Sequence, residues 1–317
     1  MNIVILDSGY KSYNFETELF GKHGFQIKIH PQYKGERAEK INFARNADGI
    51  LVRHTIIDDE FLAQMNKLKA VVRYGIGYDN IDVEACTRFG VKVANVQGYA
   101  THAVSDHALA LILSCSRALW NPRKQLLENF AAPPAEDIFE LQDKILGIIG
   151  LGRIGSMLAR KCAPLFDSII ASDPYQSTRY FESKKVKKVQ LEQVLESADI
   201  ISLHCSLTPE TFHILDDPAF DKMQKKPVVV NTSRGATINE KSLLKALNNK
   251  TIHSAGLDVF RDEPTTTAQK TLIGHPRTIC TGHYAWYSNQ AATELQKRAA
   301  QNLLCLLSGE KIADSLN

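Results

Sequence analysis

Short apolar runs of four to six residues recur along the chain, and most are followed by a stretch with apolar positions at helical spacing. In the first third, strand patterns fall at Ile3 to Leu6, Gln26 to Ile29, Gly49 to Val52, Ala70 to Arg73 and Val91 to Ala94. Helical spacing between them predicts helices over Tyr13 to His23, Arg37 to Asn46, Asp58 to Asn66 and Asp82 to Phe89. Strand and helix alternating in this way imply a parallel sheet with helices on both faces. The alternation resumes with strands at Ile145 to Ile149, Ser168 to Ser172, Asp199 to His204, Pro227 to Asn231, Ile252 to Leu257 and Thr278 to Thr281. Helices are expected there at Arg153 to Phe166, Glu192 to Glu196, Asn239 to Leu247 and Ser288 to Leu307.

Between the two sets lies Thr101 to Leu119, whose apolar residues spread around most of a helical circumference. A helix apolar nearly all round must be buried between layers, with Thr101 as its expected N-cap. We read it as the hinge that leaves one domain and enters the next, contributing to a dimer interface. Asn121 to Glu140, with Pro133-Pro134 and little periodicity, reads as irregular chain placed to wrap a partner subunit.

The 317 residues exceed the size at which one core keeps growing, so two domains are expected. Thirty-eight basic residues against 35 acidic ones give a formal charge of only +3, which does not suggest a nucleic-acid-binding protein. The tightest basic cluster, Lys184-Lys185 with Lys187-Lys188, reads as a solvated helix end or loop. The six cysteines show no close pairing and no metal-ligand spacing, and no apolar run approaches the ~18 residues of a membrane span. The chain opens directly on a strand pattern. A cytoplasmic protein with reduced thiols, without membrane or metal, is therefore expected.

The most informative stretch is Gly150, Gly152 and Gly155 in the spacing G-x-G-x-x-G, on the turn between a predicted strand and a predicted helix. In that context the first glycine permits the tight turn, the second lets backbone approach a pyrophosphate, and the third lets helix pack on strand. Arg153 and Ile154 open the helix, whose N-terminus favours phosphate. Asp173 ends the next strand eighteen positions beyond Gly155, near the spacing of an acid that binds ribose hydroxyls and repels a 2′-phosphate. The expected cofactor is thus NAD. Later strands carry His204, Cys205, Thr208, Thr232, Ser233, Asp258 and Ala285 to the same sheet edge, where they are expected at the cofactor, and Arg234, His283 and Trp286 with them, Trp286 being expected at the substrate. The fold expected is α/β, with two doubly wound parallel-sheet domains. A Rossmann cofactor domain (101–286) is inserted into a flavodoxin-like substrate domain (1–100 and 287–317).

Arginine, glutamate and histidine beside a dinucleotide site are the parts needed for hydride transfer to a carbonyl. Arg234 suits a substrate carboxylate because its planar fork binds two oxygens. His283 suits proton transfer because histidine titrates near neutrality, and Glu263 would fix its tautomer. Ligands of parallel sheets bind beyond the strand carboxyl ends. That directs attention to Arg53, and to Gly75, Ile76 and Gly77 in Arg73-Tyr74-Gly75-Ile76-Gly77-Tyr78-Asp79, where open backbone N–H groups suit a small anion.

Gly150 to Gly155, Asn231 to Gly235, Leu257 to Phe260 through Glu263-Pro264, and His283 to Trp286 resemble the signature blocks of the NAD-dependent D-2-hydroxyacid dehydrogenase family. Arg73 to Asp82 resembles its substrate-loop block, and the resemblance runs over essentially the whole chain. It implies Arg234, Glu263 and His283 as catalytic residues. It further implies Arg153, Ile154, Asp173, Thr232 and Asp258 at the cofactor, Ile76 and Gly77 at the substrate carboxylate, and a homodimer. Ser206 stands where many members have proline, and Asp106 where the hinge helix often has glutamate. The His283 to Ser288 block is more similar to the glyoxylate-reductase and C-terminal-binding-protein branches, whereas Arg53 keeps phosphoglycerate dehydrogenase open, with no regulatory domain expected. A corepressor-like NAD-sensing protein is the alternative outside catalysis. A formate-dehydrogenase-like activity would place glutamine where Glu263 stands.

Overall fold

The computed structural model describes residues 1–32, 35–119 and 138–317, so most of Asn121 to Glu140 lies outside the described residues. The chain divides into two compact units, Met1–Ala100 with Ser288–Asn317, and Thr101–Tyr287.

In the first unit, strands β1 (Asn2–Ile5), β2 (Gln26–Ile29), β3 (Gly49–Val52), β4 (Ala70–Arg73) and β5 (Lys92–Ala94) form one parallel sheet in the order β2-β1-β3-β4-β5. That is the flavodoxin-like order. Helices α1 (Asn14–Lys22), α2 (Arg37–Ala44), α3 (Asp59–Leu62) and α4 (Val83–Arg88) belong to this unit. So does the helix Asn289–Leu307, labelled α12, which packs on β3, β4 and α1. Its N-cap is Ser288, whose side chain accepts from the Ala291 N–H. One apolar cluster, including Val4, Leu6, Ile50, Val52, Phe61, Val71 and Val93, fills the sheet against the helices. The helix expected over Asp58 to Asn66 stops at Leu62, because its last turns tighten to i→i+3 bonds such as Met65 to Leu62.

The second unit opens with α5 (Thr101–Ser116), which starts at Thr101 itself, one residue earlier than an N-cap there would allow. It ends in a turn where Ala118 has φ of +52°. Then follow β6 (Ile145–Ile149), α6 (Arg153–Cys162), β7 (Ser168–Ser172), α7 (Thr178–Lys184), β8 (Lys187–Lys188), α8 (Leu191–Ser197) and β9 (Ile200–Leu203). After them come α9 (Asp217–Asp221), β10 (Val228–Asn231), α10 (Glu240–Asn248), β11 (Ser254–Leu257), α11 (Lys270–Ile273) and β12 (Thr278–Cys280). The seven strands are all parallel in the order β12-β11-β10-β9-β6-β7-β8, the doubly wound arrangement with its switch point between β6 and β9. Alternation along the strands separates two cores. Ile149, Ile201, Val229 and Leu257 face one cluster, and Ile148, Ile200, Val228 and Val230 face the other with Leu111, Ile112 and Leu158 of the helices. Helix α6 is shorter than expected, stopping at Cys162 before Pro164, which cannot donate to a further turn. The lysine cluster splits: Lys184 ends α7, while Lys187 and Lys188 form an exposed edge strand on β7.

Candidate active site

In the second unit the polar groups gather at the carboxyl ends of β6, β7, β9, β10 and β11. Gly150, at the end of β6, has φ of +92°, and a Cβ there would lie 2.6 Å from the Cys205 nitrogen beyond β9. Only glycine meets both conditions. A Cβ on Gly155 would fall 2.2 Å from the Gly150 carbonyl oxygen, so this glycine lets α6 close on the strand. Gly152, the N-cap of α6, is different, since a Cβ there would meet no atom within 4 Å. Arg153 and Ile154 begin the helix just beyond it. The Asp173 carboxylate is fixed beside this turn, accepting from the Leu151 N–H at 2.8 Å and the Tyr175 N–H at 3.0 Å.

Further along the same edge, the His204 ring meets the Ser202 hydroxyl at 2.9 Å, and burial drives its pKa down to about 4, so it is neutral near pH 7. Burial pushes the Cys205 thiol up to about 11, so it is not a nucleophile. Thr208 shares its hydroxyl with Thr211. The Thr232 hydroxyl is buried without a partner, the kind of orphan that a bound polar ligand would satisfy. Open space above Gly152, donors at the α6 N-terminus, the Asp173 carboxylate and this unpaired hydroxyl fit a dinucleotide.

Ser233 is pinned by donating its N–H and hydroxyl to Asn231 Oδ1, both at 2.9 Å. Arg234 follows, its carbonyl accepting from the Asn231 amide at 2.9 Å and the Thr237 hydroxyl at 2.7 Å. Gly235 then presses on Phe260 so closely that a Cβ would lie 1.9 Å from the Phe260 carbonyl carbon. This contact ties the Arg234 turn to the loop bearing Glu263. The Glu263 carboxylate accepts the Phe260 N–H at 3.0 Å with one oxygen and pairs with His283 Nδ1 through the other. Burial raises its pKa, but the His283 hydrogen bond and charge, the Phe260 N–H and the Arg234 charge together bring it below the usual carboxylate value.

His283 has φ of +55°, a left-handed conformation that costs a non-glycine residue on the order of 1–3 kcal/mol. Asp258 holds it there. Its carbonyl accepts the His283 N–H at 2.7 Å, and its carboxylate accepts the Tyr284 N–H, the Ala285 N–H and the Thr281 hydroxyl. Asp258 and Ala285 are only 1% and 3% exposed, and Asp258 spends its oxygens on this turn. The Ala285 N–H donates to the Asp258 carboxylate at 2.9 Å. Trp286 donates its indole N–H to the His283 carbonyl at 3.1 Å. His107 of α5 completes the support by meeting the Thr281 hydroxyl at 2.9 Å. The sequence reading missed it, although a histidine on so apolar a helix was a signal.

The first unit has its own cluster at the carboxyl ends of β1, β3 and β4. Asp7, just past β1, accepts the N–H groups of Arg53, His54 and Thr55 at 2.7–2.9 Å, the Thr55 hydroxyl at 2.7 Å and the buried Lys40 ammonium. The Arg53 guanidinium lies 4.8 Å over the Tyr10 ring. Gly75 has φ of +144°, a backbone conformation that favours glycine, and the Arg73 guanidinium crosses over it. The Ile76 carbonyl accepts from Asn95 at 2.7 Å, which fixes the turn running on to Gly77. Neither Tyr10 nor Arg73 was among the residues singled out from sequence.

Residues 109–285 match the family described as D-isomer specific 2-hydroxyacid dehydrogenase, NAD binding domain, and the chain belongs to this family. Among curated proteins it is similar to D-3-phosphoglycerate dehydrogenase of Mycobacterium tuberculosis, 33% identical over 295 residues, covering 93% of this chain and 56% of that protein. The chain thus spans about half the length of the curated relatives it matches. Among solved structures it is similar to a glyoxylate reductase from Paecilomyes thermophila, with a TM-score of 0.90, 25% identity and coverage of 100% and 98%. Apo D-lactate dehydrogenase from Escherichia coli gives 0.83 and 26%, with both chains covered in full. The two parallel-sheet units and the NAD-binding fold are those expected from the sequence.

Proposed function

We propose that the protein is an NAD-dependent D-2-hydroxyacid dehydrogenase that reduces small 2-keto acids, and oxidises the corresponding 2-hydroxy acids in reverse. The observation that carries this reading is the His283–Glu263 pair beside Arg234, on the sheet edge that also bears the dinucleotide cradle. NADH, when bound, supplies the hydride to C2 of the substrate. His283 uses Nδ1 to hold Glu263, which leaves Nε2 to give its proton to the carbonyl oxygen. Glu263, held ionised, stabilises the imidazolium before that transfer and keeps the ring oriented. Arg234 binds the carboxylate and polarises the carbonyl. In the first unit, Arg53 and the Gly75-Ile76-Gly77 turn are read as substrate-binding residues. Gly150, Gly152, Gly155, Arg153, Ile154, Asp173, His204, Cys205, Thr208, Thr232, Ser233, Asp258 and Ala285 surround the cofactor in this reading, and Trp286 meets the substrate.

A panel of glyoxylate, hydroxypyruvate, pyruvate and 3-phosphohydroxypyruvate, with NADH absorbance as readout, tests it. Turnover of at least one substrate, lowered about 10²- to 10⁴-fold in kcat by His283→Ala, is expected. A protein that binds NADH and turns over none of them would refute the enzyme reading in favour of an NAD-sensing binding protein. Arg53 and the phosphoglycerate dehydrogenase relatives favour 3-phosphohydroxypyruvate as a second candidate within the panel. We further propose a cytoplasmic homodimer. Six unpaired cysteines favour the reducing compartment, and exposed Leu113 and Leu119 at the end of α5 suit a subunit contact. Sedimentation at micromolar concentration would reveal a monomer if the dimer is wrong.

A further inference from the structure

Helix α5 packs on β10, β11 and β12, and its polar residues take different partners. Ser105 and Asp106 receive the Lys161 ammonium of α6 at 2.7 and 2.6 Å, which ties the two helices together. His107 instead faces the turn beyond β12. Its Nε2 meets the Thr281 hydroxyl at 2.9 Å, and its ring stands edge-on to Tyr284 with the centroids 5.4 Å apart. Thr281 and Tyr284 flank His283, so one side chain holds the turn on both sides of that residue.

The hydrogen bonds around Thr281 have a fixed direction. A threonine hydroxyl carries one proton, and Thr281 donates it to Asp258 Oδ1. His107 is therefore the donor in its contact with Thr281, with a proton on Nε2. A ring bearing its only proton on Nδ1 would draw the Thr281 proton to itself and take it from Asp258. The same carboxylate accepts the Tyr284 N–H at 3.1 Å and the Ala285 N–H at 2.9 Å, while the Asp258 carbonyl accepts the His283 N–H at 2.7 Å. A continuous chain of bonds thus runs from His107 through Thr281 and Asp258 to the backbone of His283, whose φ of +55° needs support from outside the turn.

We infer that His107 is a positioning residue for the proton transfer. Its Nε2–H orients the Thr281 hydroxyl and, through Asp258, keeps the His283 ring where Nδ1 meets Glu263. This rests on the reading above, in which His283 gives the proton, and every residue it uses lies in the second unit. The charged groups about the chain are Asp258, whose Oδ1 is 3.7 Å from His107 Nε2, and Glu263 on His283, which feels the charge of Arg234. His107 acts only through this chain, and the leverage is large because a misplacement of about 1 Å can cost roughly 10²-fold in rate.

The test compares His107→Phe, which keeps a ring against Tyr284 but loses the donor, with His107→Gln, whose amide N–H can reach the Thr281 oxygen. On the intact protein with the best keto acid of the panel, His107→Phe should lower kcat about 10- to 100-fold while leaving the NADH Kd unchanged. The decline of reduction with rising pH should also begin at lower pH, because a loosened ring loses the carboxylate that stabilises its charged form. His107→Gln should recover most of the rate and the wild-type profile. Thr281→Val removes the hydroxyl with little change of shape and should reproduce both effects of His107→Phe, so it decides the matter if His107→Phe fails to fold. The double variant should be no slower than either single one, since both break the same chain. Wild-type kcat and pH profile in Thr281→Val or His107→Phe, or a His107→Gln protein as slow as His107→Phe, overturns the assignment and leaves the dehydrogenase reading intact. Absence of turnover by wild type with every keto acid would instead overturn that reading, and this one with it.

Discussion

The three glycines of the β6–α6 turn make separable demands, and the structure gives each a distance. At Gly152 a Cβ would point into open space, and the backbone there is extended with φ of −77°, which any residue adopts. Alanine at an N-cap loses about 0.5–1 kcal/mol relative to glycine, and the stiffer unfolded chain returns about 0.4–1 kcal/mol. Gly152→Ala should therefore leave the melting temperature of the cofactor-free protein within about 3 °C of wild type. The same methyl would occupy the space a pyrophosphate needs. Loss of one charge-assisted backbone hydrogen bond, about 1.5–3 kcal/mol, corresponds to an NADH Kd raised about 10- to 100-fold. Gly155→Ala makes the opposite prediction. Its Cβ would sit 2.2 Å from the Gly150 oxygen, a backbone atom that cannot swing aside. Overpacking of that kind costs about 1–3 kcal/mol, so the apo protein should melt roughly 3–10 °C lower. Thermal melts without cofactor and fluorescence titration with NADH measure the two effects separately. A Gly152→Ala protein with wild-type NADH affinity, or one that melts as low as Gly155→Ala, would refute the reasoning.

Three other perturbations address the remaining parts. Glu263→Gln removes the carboxylate held ionised beside His283, so the decline of keto-acid reduction with rising pH should begin at lower pH, and an unmoved kcat/KM profile would break the assigned pairing. Asp173→Asn removes the charge that repels a 2′-phosphate, and the NADPH to NADH ratio of kcat/KM should rise about five- to tenfold; equal use of both cofactors by wild type would count against the role of Asp173. Asp7 has a pKa lowered to about 2 in the folded state from 3.8, because its five hydrogen bonds outweigh burial. Its stabilisation, on the order of 2 kcal/mol from the shift alone, is present above about pH 4 and fades as pH falls through 2. Asp7→Asn should therefore lower the denaturation midpoint at pH 7 and lose that deficit toward pH 2, and a deficit independent of pH would contradict it.

What could be read in the sequence was what depends on short range. The β10 run Val228–Asn231 is apolar and bounded by Thr232 to Gly235, so both the strand and the polar loop at its end were legible. Helix α7 was not, since in Thr178–Lys184 only Phe181 is buried and no apolar face repeats. Its one local signal was Ser177, which caps the helix by accepting the Tyr180 N–H. Strand β8 is two lysines, a strand only because β7 offers an open edge. Among the site residues, Asp7 and Lys40 are separated by 33 positions, and nothing local tells either that the other is its partner. His107 and Thr281 are 174 positions apart, and the unpaired hydroxyl of Tyr10 exists only once three loops are packed around it.

The two units share a way of building a polar loop at the end of a parallel strand. Just past β1 and just past β11 stands an aspartate almost without exposure, Asp7 at 0% and Asp258 at 1%. A buried carboxylate is costly unless its lone pairs are filled, and backbone N–H groups from a nearby loop fill them without adding side-chain entropy. At Asp7 they come from Arg53, His54 and Thr55, and at Asp258 from Tyr284 and Ala285, with a threonine hydroxyl joining in both cases. Loosening the loop would strand the charge, so each loop is held by nearly the whole desolvation penalty instead of by one weak contact. This is how the chain keeps His283 at a positive φ that its side chain disfavours, and how the backbone of Arg53 is fixed before any ligand arrives. Preorganisation of this kind places the energetic demand in the folded scaffold, where folding has already met it, and leaves the polar side chains of the loops to act on the ligand.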